Sequence, residues 1–243
     1  MTAALVTGAS RGIGEEIARR LAAAGHDLTI SARNRDPLEA LAGELHSQHG
    51  VHVEIATADM SSEEDVRQLA ATHLAAHARL DVLVLNAGMG AIGAFADYPV
   101  RRLDKMFTIN VRSAYVLVQQ LLPAMLEAGR TSAHGGKVIA IASTTGIVGE
   151  PLNSAYGATK AALISLCETL DTEHALDGVT ATAVCPGYVA TSMTEGLSDQ
   201  VAQEDMLPPS DIAEAVLGLT RLSARTVVPR LVLTRPGPHL WRA

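Results

Sequence analysis

The sequence predicts an α/β fold in which helices cover both faces of a doubly wound parallel sheet. Strand and helix patterns alternate almost from end to end of the 243 residues. Hydrophobic residues make up 48% of the chain and aromatic residues only 3%, so the core must consist mainly of Ala, Val, Leu and Ile. That composition suits helices packed closely on a parallel sheet. No linker, repeat or low-complexity tract interrupts the pattern, and residues 1–243 are therefore predicted to form a single domain.

The first strand and the turn after it predict a site for a phosphate group. Residues 3–6 read as a strand, a glycine-rich turn occupies residues 7–14, and a helix follows that stops at Gly25. Free backbone amides and the helix dipole point at an anion here, and glycines let the main chain come close to it. The turn residues predicted to bind a dinucleotide are Gly8, Ser10, Arg11, Gly12, Ile13 and Gly14.

The second strand, residues 27–31, leads to the position where a dinucleotide fold contacts the adenosine ribose. An acidic residue there would accept a hydrogen bond from the 2′-hydroxyl and favour NAD(H). The chain instead has Arg33, with Arg11 nearby in the glycine turn, and guanidinium groups suit a 2′-phosphate. The sequence therefore predicts NADP(H) in preference to NAD(H). If Arg33 is only an exposed loop residue, the preference stays open.

The third strand, residues 51–56, is followed by Asp59 and Met60 and then by a helix over about residues 63–77. Asp59 either accepts a hydrogen bond from the adenine amino group or caps the next helix together with a neighbouring serine. The histidines of this region have spacings that resemble metal ligands, but no set of carboxylates or cysteines accompanies them. We therefore predict no metal site and surface positions for His46, His49, His52, His73 and His77.

The fourth strand, residues 81–85, ends at Asn86, Ala87 and Gly88, and a helical region over about residues 99–128 follows. Asn110 is a polar residue between two apolar ones in that region. A buried amide needs hydrogen-bond partners, so Asn110 is predicted to be either a structural cap or a holder of water near Lys160.

The fifth strand ends in Ser143, and a segment rich in alanine then places Tyr156 and Lys160 four residues apart. Ligands of open α/β sheets bind outside the carboxyl ends of the strands, where Ser143 would lie. On a helix, Tyr156 and Lys160 share one face, and an ammonium near a phenol favours the phenolate. This pair predicts an acid/base catalyst, although a tyrosine and a lysine at this spacing also occur for structural reasons alone.

The sixth strand, residues 179–185, ends in Pro186 and Gly187, and the backbone after it is predicted to receive the nicotinamide amide, with Val189 and Thr191 among the contacts. A substrate lid is predicted over residues 191–207. Its apolar side chains would contact the substrate, and all of its charged residues are acidic. The predicted lid contacts are Met193, Leu197, Met206 and Leu207.

Taken together, these segments resemble the short-chain dehydrogenase/reductase family in its single-domain form. The resemblance runs from Leu5 to about Leu233 and combines the Thr-Gly-x-x-x-Gly-x-Gly turn, Asn-Ala-Gly at 86–88 and the Tyr-x-x-x-Lys pair. It implies a Rossmann-type sheet of about seven strands in the order 3-2-1-4-5-6-7. It also implies the catalytic roles: Tyr156 as acid/base and Ser143 polarising the carbonyl. Lys160 would hold the nicotinamide ribose and lower the pKa of Tyr156, and Asn110 would support a proton relay.

The family usually forms dimers or tetramers through the two long helices, and here those helices carry an excess of apolar residues. A homodimer or homotetramer is therefore expected. The residues behind this expectation are Val111, Ala114, Val118, Leu121, Leu122, Ala158, Ala161, Ala162 and Ile164. The chain lacks the glycine-rich end of many relatives, and its arginine-containing tail, residues 236–243, either folds onto a neighbouring subunit or touches a membrane or partner.

The predicted activity is the NADPH-dependent reduction of a ketone or aldehyde, reversible as alcohol oxidation, on a small to medium, largely neutral substrate. A 3-oxoacyl-carrier-protein reductase is an alternative, but an acidic carrier would meet the acidic lid. A second alternative is a non-catalytic sensor of NADP(H), although a sensor would not need the four catalytic side chains. A third alternative is epimerase or dehydratase chemistry on the same fold.

Charge and terminal sequence exclude other classes of function. The formal net charge is −7, which opposes nucleic-acid binding. The first strand begins at the N-terminus without a basic or long apolar segment, so a cytoplasmic protein with no membrane association is expected. Cys167 and Cys185 show no metal-type spacing and are predicted to be buried, reduced thiols.

Overall fold

The computed structural model describes residues 2–195 and 201–237. Its centre is a sheet of seven parallel strands in the order β3-β2-β1-β4-β5-β6-β7. The predicted fold class and strand order are therefore confirmed. The strands are β1 (Ala3–Thr7), β2 (Asp27–Ala32), β3 (Val53–Thr57), β4 (Val82–Leu85), β5 (Gly136–Ile141), β6 (Val179–Pro186) and β7 (Arg230–Leu233).

Seven α-helices of the described residues pack on the two faces of this sheet. They are α1 (Gly12–Ala23), α2 (Arg35–His49), α3 (Glu63–His77), α4 (Val100–Phe107), α5 (Ser113–Thr131), α6 (Ser154–His174) and α7 (Pro209–Thr220). Apolar residues of α1, α2 and α7 form one core with one face of the sheet, and those of α3, α5 and α6 form a second core with the other. Successive residues of a strand point to opposite faces, so Val6 belongs to one core and Leu5 to the other.

The strand order reverses between β1 and β4, because the chain first winds outward to β3 and then returns to the other side of β1. Loops at the carboxyl ends of β1 and β4 consequently diverge, and ligands of such sheets bind in the crevice between them. The segments that follow β1, β4, β5 and β6 all reach this edge, which we name the carboxyl edge.

Two helical predictions differ from the structure. The helical region expected over residues 99–128 consists of α4, a π-helical turn (Thr108–Arg112) and α5. Sequence analysis did not identify α7, whose first residue is Pro209 and whose apolar face packs against α1. Proline suits the first position of a helix because its missing N–H has no intrahelical partner there.

His73 is wrongly predicted as a surface residue. Its side chain is buried on α3, where Nδ1 lies 2.8 Å from the Thr29 hydroxyl and Nε2 lies 2.9 Å from the Arg79 carbonyl oxygen. His77 is half-buried, with Nε2 3.2 Å from the Leu28 carbonyl oxygen, whereas His46 and His52 are exposed. Burial, more than the neighbouring His77, lowers the pKa of His73 to about 4, so this imidazole is neutral and structural at neutral pH.

Both cysteines are buried free thiols as predicted, and burial raises the pKa of Cys167 to about 12. The apolar excess of the long helices is smaller than predicted, because Ala114, Val118, Leu121 and Ile164 belong to the core of the monomer. Within residues 2–195 and 201–237, no helix is long and apolar enough to cross a membrane. The same ranges hold no cluster of three potential metal ligands among His, Cys, Asp and Glu.

Candidate active site

The glycine turn is packed so tightly that side chains have no room at two of its positions. A Cβ atom at Gly14 would lie 2.3 Å from the Gly8 carbonyl oxygen and 2.4 Å from Nδ2 of Asn86. Gly8 itself has a φ of +68°, which glycine adopts without strain. The first turn of α1 therefore presses directly against the end of β1. Arg11 precedes α1 and its side chain does not cap the helix, so the first backbone amides are available to an anion.

Thr7 and Asn86 hold this turn in place, and sequence analysis missed Thr7. The Thr7 hydroxyl donates to the Val84 carbonyl oxygen at 3.1 Å and accepts from the backbone amides of Asn86 and Ala87, each at 3.0 Å. Nδ2 of Asn86 donates back to the carbonyl oxygens of Thr7 and Gly8. The sequence did carry a signal for the role of Thr7, because a hydroxyl residue stands between the predicted first strand and the first glycine of the turn. These bonds fasten the end of β1 to the end of β4.

Arg11 and Arg33 are both exposed, and among the described residues neither forms an ion pair with a carboxylate. Asp59 is close enough to Arg33 for that charge to contribute to the lowered pKa of its carboxyl group. The larger cause is Ser61, whose backbone amide and hydroxyl both donate to Oδ1 of Asp59 at 2.8 Å. Ser62, not Asp59, caps α3. Of the two alternatives for Asp59, helix capping is therefore wrong.

Asn110 lies in the π-helical turn and is almost completely buried. Its Oδ1 accepts from the Met89 amide at 2.8 Å, and its Nδ2 donates to the Met89 carbonyl oxygen at 2.9 Å and to the Thr159 hydroxyl at 3.0 Å. Both hydrogens of the amide are thus used within the protein. The side chain of Asn110 joins the loop after β4 to α6, and π-helical turns of this kind frequently occur at functional sites.

The turn that begins at Ser143 packs closely on α6, the helix with Tyr156 and Lys160, through two glycines that sequence analysis did not single out. Ser143 begins the turn after β5, and its Oγ accepts from the amide and the hydroxyl of Thr145. A Cβ atom at Gly146 would lie 2.7 Å from the backbone of Lys160, and one at Gly157 would lie 2.7 Å from the Thr145 carbonyl oxygen. Only glycines allow this approach of turn and helix, and it fixes Ser143 beside Tyr156.

Tyr156 and Lys160 lie on one face of α6 as predicted, with Nζ of Lys160 5.4 Å from the centre of the Tyr156 ring. Burial raises the pKa of Tyr156 to about 12, and a side-chain hydrogen bond with Ser143 opposes this shift. Lys160 donates to the Ile141 carbonyl oxygen at 2.6 Å, and burial lowers its pKa to about 8. Desolvation is the dominant influence on the Tyr156 phenol and Lys160 is not among the groups that shift its pKa, so the expectation that Lys160 lowers this pKa is not met in this structure.

The segment after β6 borders this cluster. Gly187, the residue after Pro186, donates its backbone amide to the Leu233 carbonyl oxygen of β7. Val189 is buried. Thr191 lies against the glycine turn, since a Cβ atom at Gly12 would be 3.2 Å from its methyl group. Met193 is 55% exposed. A Cβ atom at Gly90 would be 3.6 Å from both the Met193 sulfur and the Tyr156 ring, so Met193 and Tyr156 both border Gly90.

The other predicted lid residues have different surroundings. Met206 is buried, and Leu207 packs on the core and hydrogen-bonds through its backbone to Tyr188 and Ala190. Both side chains are therefore held in place rather than flexible, and their contact with a substrate stays a prediction. Leu197 and the tail residues 238–243 lie outside the described residues.

The assembled side chains form an acid/base cluster at the carboxyl edge. A phenol with a raised pKa stays protonated at neutral pH and can donate a proton, and the Ser143 hydroxyl beside it can bind the same acceptor oxygen. The glycine turn, the uncapped start of α1 and the two exposed guanidinium groups fit a dinucleotide with several phosphates. A nicotinamide dinucleotide would thus bind along this edge, with the phosphates at α1 and the ring toward Tyr156.

Comparisons with known proteins agree with this site. A model of the short chain dehydrogenase family matches residues 2–202. An uncharacterized oxidoreductase of Staphylococcus epidermidis is 32% identical over 214 residues, which cover 88% of each chain. An alcohol dehydrogenase of the archaeon Thermococcus sibiricus, complexed with 5-hydroxy-NADP, has a TM-score of 0.86 at 30% identity, over 98% of this chain and 99% of its own. The actinorhodin polyketide ketoreductase, a single-substitution variant with NADPH, has a TM-score of 0.85 at 33% identity, over 96% and 95%.

Proposed function

The chain belongs to the short-chain dehydrogenase family, and from this premise we propose that it is an NADPH-dependent reductase of ketones or aldehydes, reversible as an alcohol dehydrogenase. Family membership makes it an oxidoreductase that uses a nicotinamide cofactor on C=O or CH–OH groups. The observation that carries the finer proposal is the placement of Ser143, Tyr156 and Lys160 at the carboxyl edge.

The proposed roles follow from the chemistry of these groups. The cofactor, when bound, supplies the hydride that reduces the carbonyl carbon. Tyr156 donates its phenolic proton to the carbonyl oxygen, and the Ser143 hydroxyl binds that oxygen as negative charge develops. Lys160 holds the ribose next to the nicotinamide, and Asn110 fixes the loop at Met89 that borders the site.

Cofactor contacts are proposed for residues at the carboxyl ends of five strands, β1, β2, β3, β4 and β6. Gly8, Ser10, Gly12, Ile13 and Gly14 would bind the phosphates, with Arg11 and Arg33 at the 2′-phosphate. The adenine would lie at Asp59 and Met60. The loop of Asn86, Ala87 and Gly88 and the segment with Pro186, Gly187, Val189 and Thr191 would border the nicotinamide half. Their support is their common position at the carboxyl edge.

The substrate class is proposed to be small to medium, neutral and largely apolar. The loops after β4, β5 and β6 expose five large apolar side chains, with Phe95 85% exposed. Two of these loops are joined, because the Gly93 amide donates to the Leu152 carbonyl oxygen at 2.9 Å. Apolar surface of this kind next to a polar cluster is typical of a small-molecule site. The exposed side chains are Ile92, Phe95, Val148, Leu152 and Met193.

Replacing Arg33 tests the preference for NADP(H). We expect Arg33→Ala to weaken NADPH binding about tenfold while NADH binding changes little, because only NADPH carries the 2′-phosphate. Arg35→Ala is the matched control, since this neighbouring arginine donates to Glu39 at 2.6 Å. The measurement is a titration followed by nicotinamide fluorescence at fixed salt. Equal losses for NADPH and NADH, or no loss at all, would contradict the assignment.

A 3-oxoacyl-carrier-protein reductase remains the second candidate. The lid residues Glu195, Glu204 and Asp205 are acidic and exposed, which opposes an acidic carrier protein. Comparing kcat/KM for a simple ketone with that for a carrier-bound substrate separates the two. A sensor without chemistry is opposed by the intact catalytic cluster, and net reduction of any ketone by NADPH excludes it.

Three further properties are proposed for the protein as a whole. The chain acts as one domain, because the sheet takes strands from Ala3 to Leu233. A homodimer or homotetramer is supported by the exposed residues of the long helices, such as Ala158, Ala161 and Tyr115. The two buried free thiols suit a reducing compartment such as the cytoplasm. Sedimentation that shows only monomer at micromolar concentration would contradict the oligomer.

A further inference from the structure

Glu150 links two loops that border the candidate active site. One carboxylate oxygen, Oε1, accepts from the Tyr188 hydroxyl at 2.8 Å, and the other, Oε2, accepts from Nδ2 of Asn153 at 2.8 Å. Asn153 is the residue before α6, and its carbonyl oxygen accepts from the Gly157 amide at 2.7 Å. One side chain therefore joins the start of the helix that carries Tyr156 to the segment after β6.

Tyr188 connects this link to Leu207, the last residue of the predicted lid. Its carbonyl oxygen accepts from the Leu207 amide at 2.9 Å, and the Ala190 amide donates to the Leu207 carbonyl oxygen at 2.9 Å. The residues on either side of the lid are thus paired through Tyr188 and Ala190. Burial, followed by Glu150, raises the pKa of Tyr188 to about 12, so the phenol remains a hydrogen-bond donor at neutral pH.

We propose that Glu150 and Tyr188 are positioning residues, whose hydrogen bond sets the segment after β6 relative to Tyr156 and thereby sets the affinity for the carbonyl substrate. The inference rests on the proposed function. Met193, five residues after Tyr188, and the Tyr156 ring both lie next to Gly90, so a displacement of this segment changes the space beside Tyr156 in which a ketone would be held. The glycine turn that would bind the phosphates depends on Thr7 and Asn86 instead, so the bond between Glu150 and Tyr188 is expected to affect the dinucleotide less than the ketone.

Steady-state kinetics at saturating NADPH test the proposal. We expect Tyr188→Phe to raise the KM for the ketone about tenfold, while kcat and the Kd of NADPH each change less than about threefold. Glu150→Gln keeps a neutral acceptor for the phenol, so its KM should rise by only about threefold. The double variant should resemble Tyr188→Phe alone, because Glu150→Gln only weakens a bond that Tyr188→Phe has already removed. The proposal would be overturned if the two single-variant increases in KM multiplied in the double variant, or if the KM of Tyr188→Phe were unchanged.

A matched control removes an exposed carboxylate elsewhere. Glu127 pairs with Arg130 near the end of α5 and is mostly exposed. Glu127→Gln changes the same chemical group as Glu150→Gln, and it should leave the KM, kcat and cofactor affinity unchanged. A rise in KM for this control as large as that for Glu150→Gln would show that the effect comes from net charge and would overturn the positioning role.

Limited proteolysis provides a readout that does not depend on catalysis. Residues 161–220 contain no Lys or Arg, whereas Glu195 and Glu204 lie in the segment framed by Tyr188 and Leu207. We expect a glutamate-specific protease to cut Tyr188→Phe there about fivefold faster than the wild type, while the tryptic pattern stays the same. If the wild type reduces no ketone but this difference occurs, the proposed function fails and the structural link holds. If the wild type reduces the ketone but Tyr188→Phe changes neither the KM nor the rate of digestion, the structural link is refuted and the proposed function stands.

Discussion

The two edges of the sheet bury polar groups in opposite ways. At the amino edge, where the strands begin, Asp81 accepts from the Ala3 amide at 2.8 Å and from two nitrogens of Arg79. Nζ of Lys137 donates there to the Thr180 hydroxyl and to the Ser223 carbonyl oxygen. At the carboxyl edge, Tyr156 as a residue is only half-buried and borders Gly90 together with the exposed Met193. Asp81 and Lys137 at the amino edge are thus hydrogen-bonded within the protein, whereas Tyr156 at the carboxyl edge lies near an exposed side chain.

This difference separates residues that stabilise the fold from residues that react. A buried charge must be paired to be tolerated, so the amino edge is expected to respond to substitution mainly in its free energy of unfolding. Asn110, Thr7 and the two close-packed glycines at the carboxyl edge are equally well satisfied, but what they hold in place is the cluster around Tyr156. Substitution of Tyr156 itself is expected to change catalysis and to leave stability nearly unchanged.

The largest expected effect belongs to the carboxyl edge. Tyr156→Phe removes the proton donor and keeps the ring, so we expect kcat to fall by about a thousandfold with the Kd of NADPH nearly unchanged. Single-turnover reduction of a ketone, followed by NADPH absorbance, measures this loss. Undiminished turnover in Tyr156→Phe would mean that another group supplies the proton and that the cluster is structural.

A smaller effect is expected at the amino edge from Asp81→Ala. This change leaves the Ala3 amide without its acceptor and removes two charge-assisted bonds from Arg79, so the free energy of unfolding should fall by about 3 kcal/mol. Urea denaturation measures it, with the exposed Asp177→Ala as control. The kcat at low temperature should be unchanged. A loss of kcat without a loss of stability would break the division between the two edges.

The smallest of the three effects is a pH dependence of stability at the amino edge. The pKa of His73 is about 4 in the folded protein, below the usual value of about 6.5, so the unfolded chain binds the proton more tightly. The stabilisation is complete above about pH 6.5 and is lost as the pH falls, by about 2 kcal/mol between pH 7 and pH 5. His73→Gln should flatten this part of the curve of unfolding free energy against pH. A variant curve as steep as that of the wild type would assign the dependence to other groups, such as His77 and His26.

Much of the fold and of the candidate site could be predicted because the signals are local. The glycine turn needs residues without side chains at fixed positions next to a strand, and Tyr156 and Lys160 share a face simply because they lie four residues apart on a helix. The α7 helix was missed, and one predicted helix proved to be two helices joined by a π-helical turn. Such breaks depend on what the helix packs against, which no short window of sequence contains.

The sequence by itself determined the alternation of strands and helices and the set of chemically active residues, because hydrophobic periodicity and motif spacing act within a few residues. The strand order followed from the family resemblance. Tertiary structure alone decided the environment of each side chain. It buried His73 against Thr29, used the amide of Asn110 to hold Met89, and raised the pKa of Tyr156 where its lowering was expected. The physical reason is that desolvation and hydrogen bonding depend on distances between residues far apart in the chain, as between Glu150 and Tyr188.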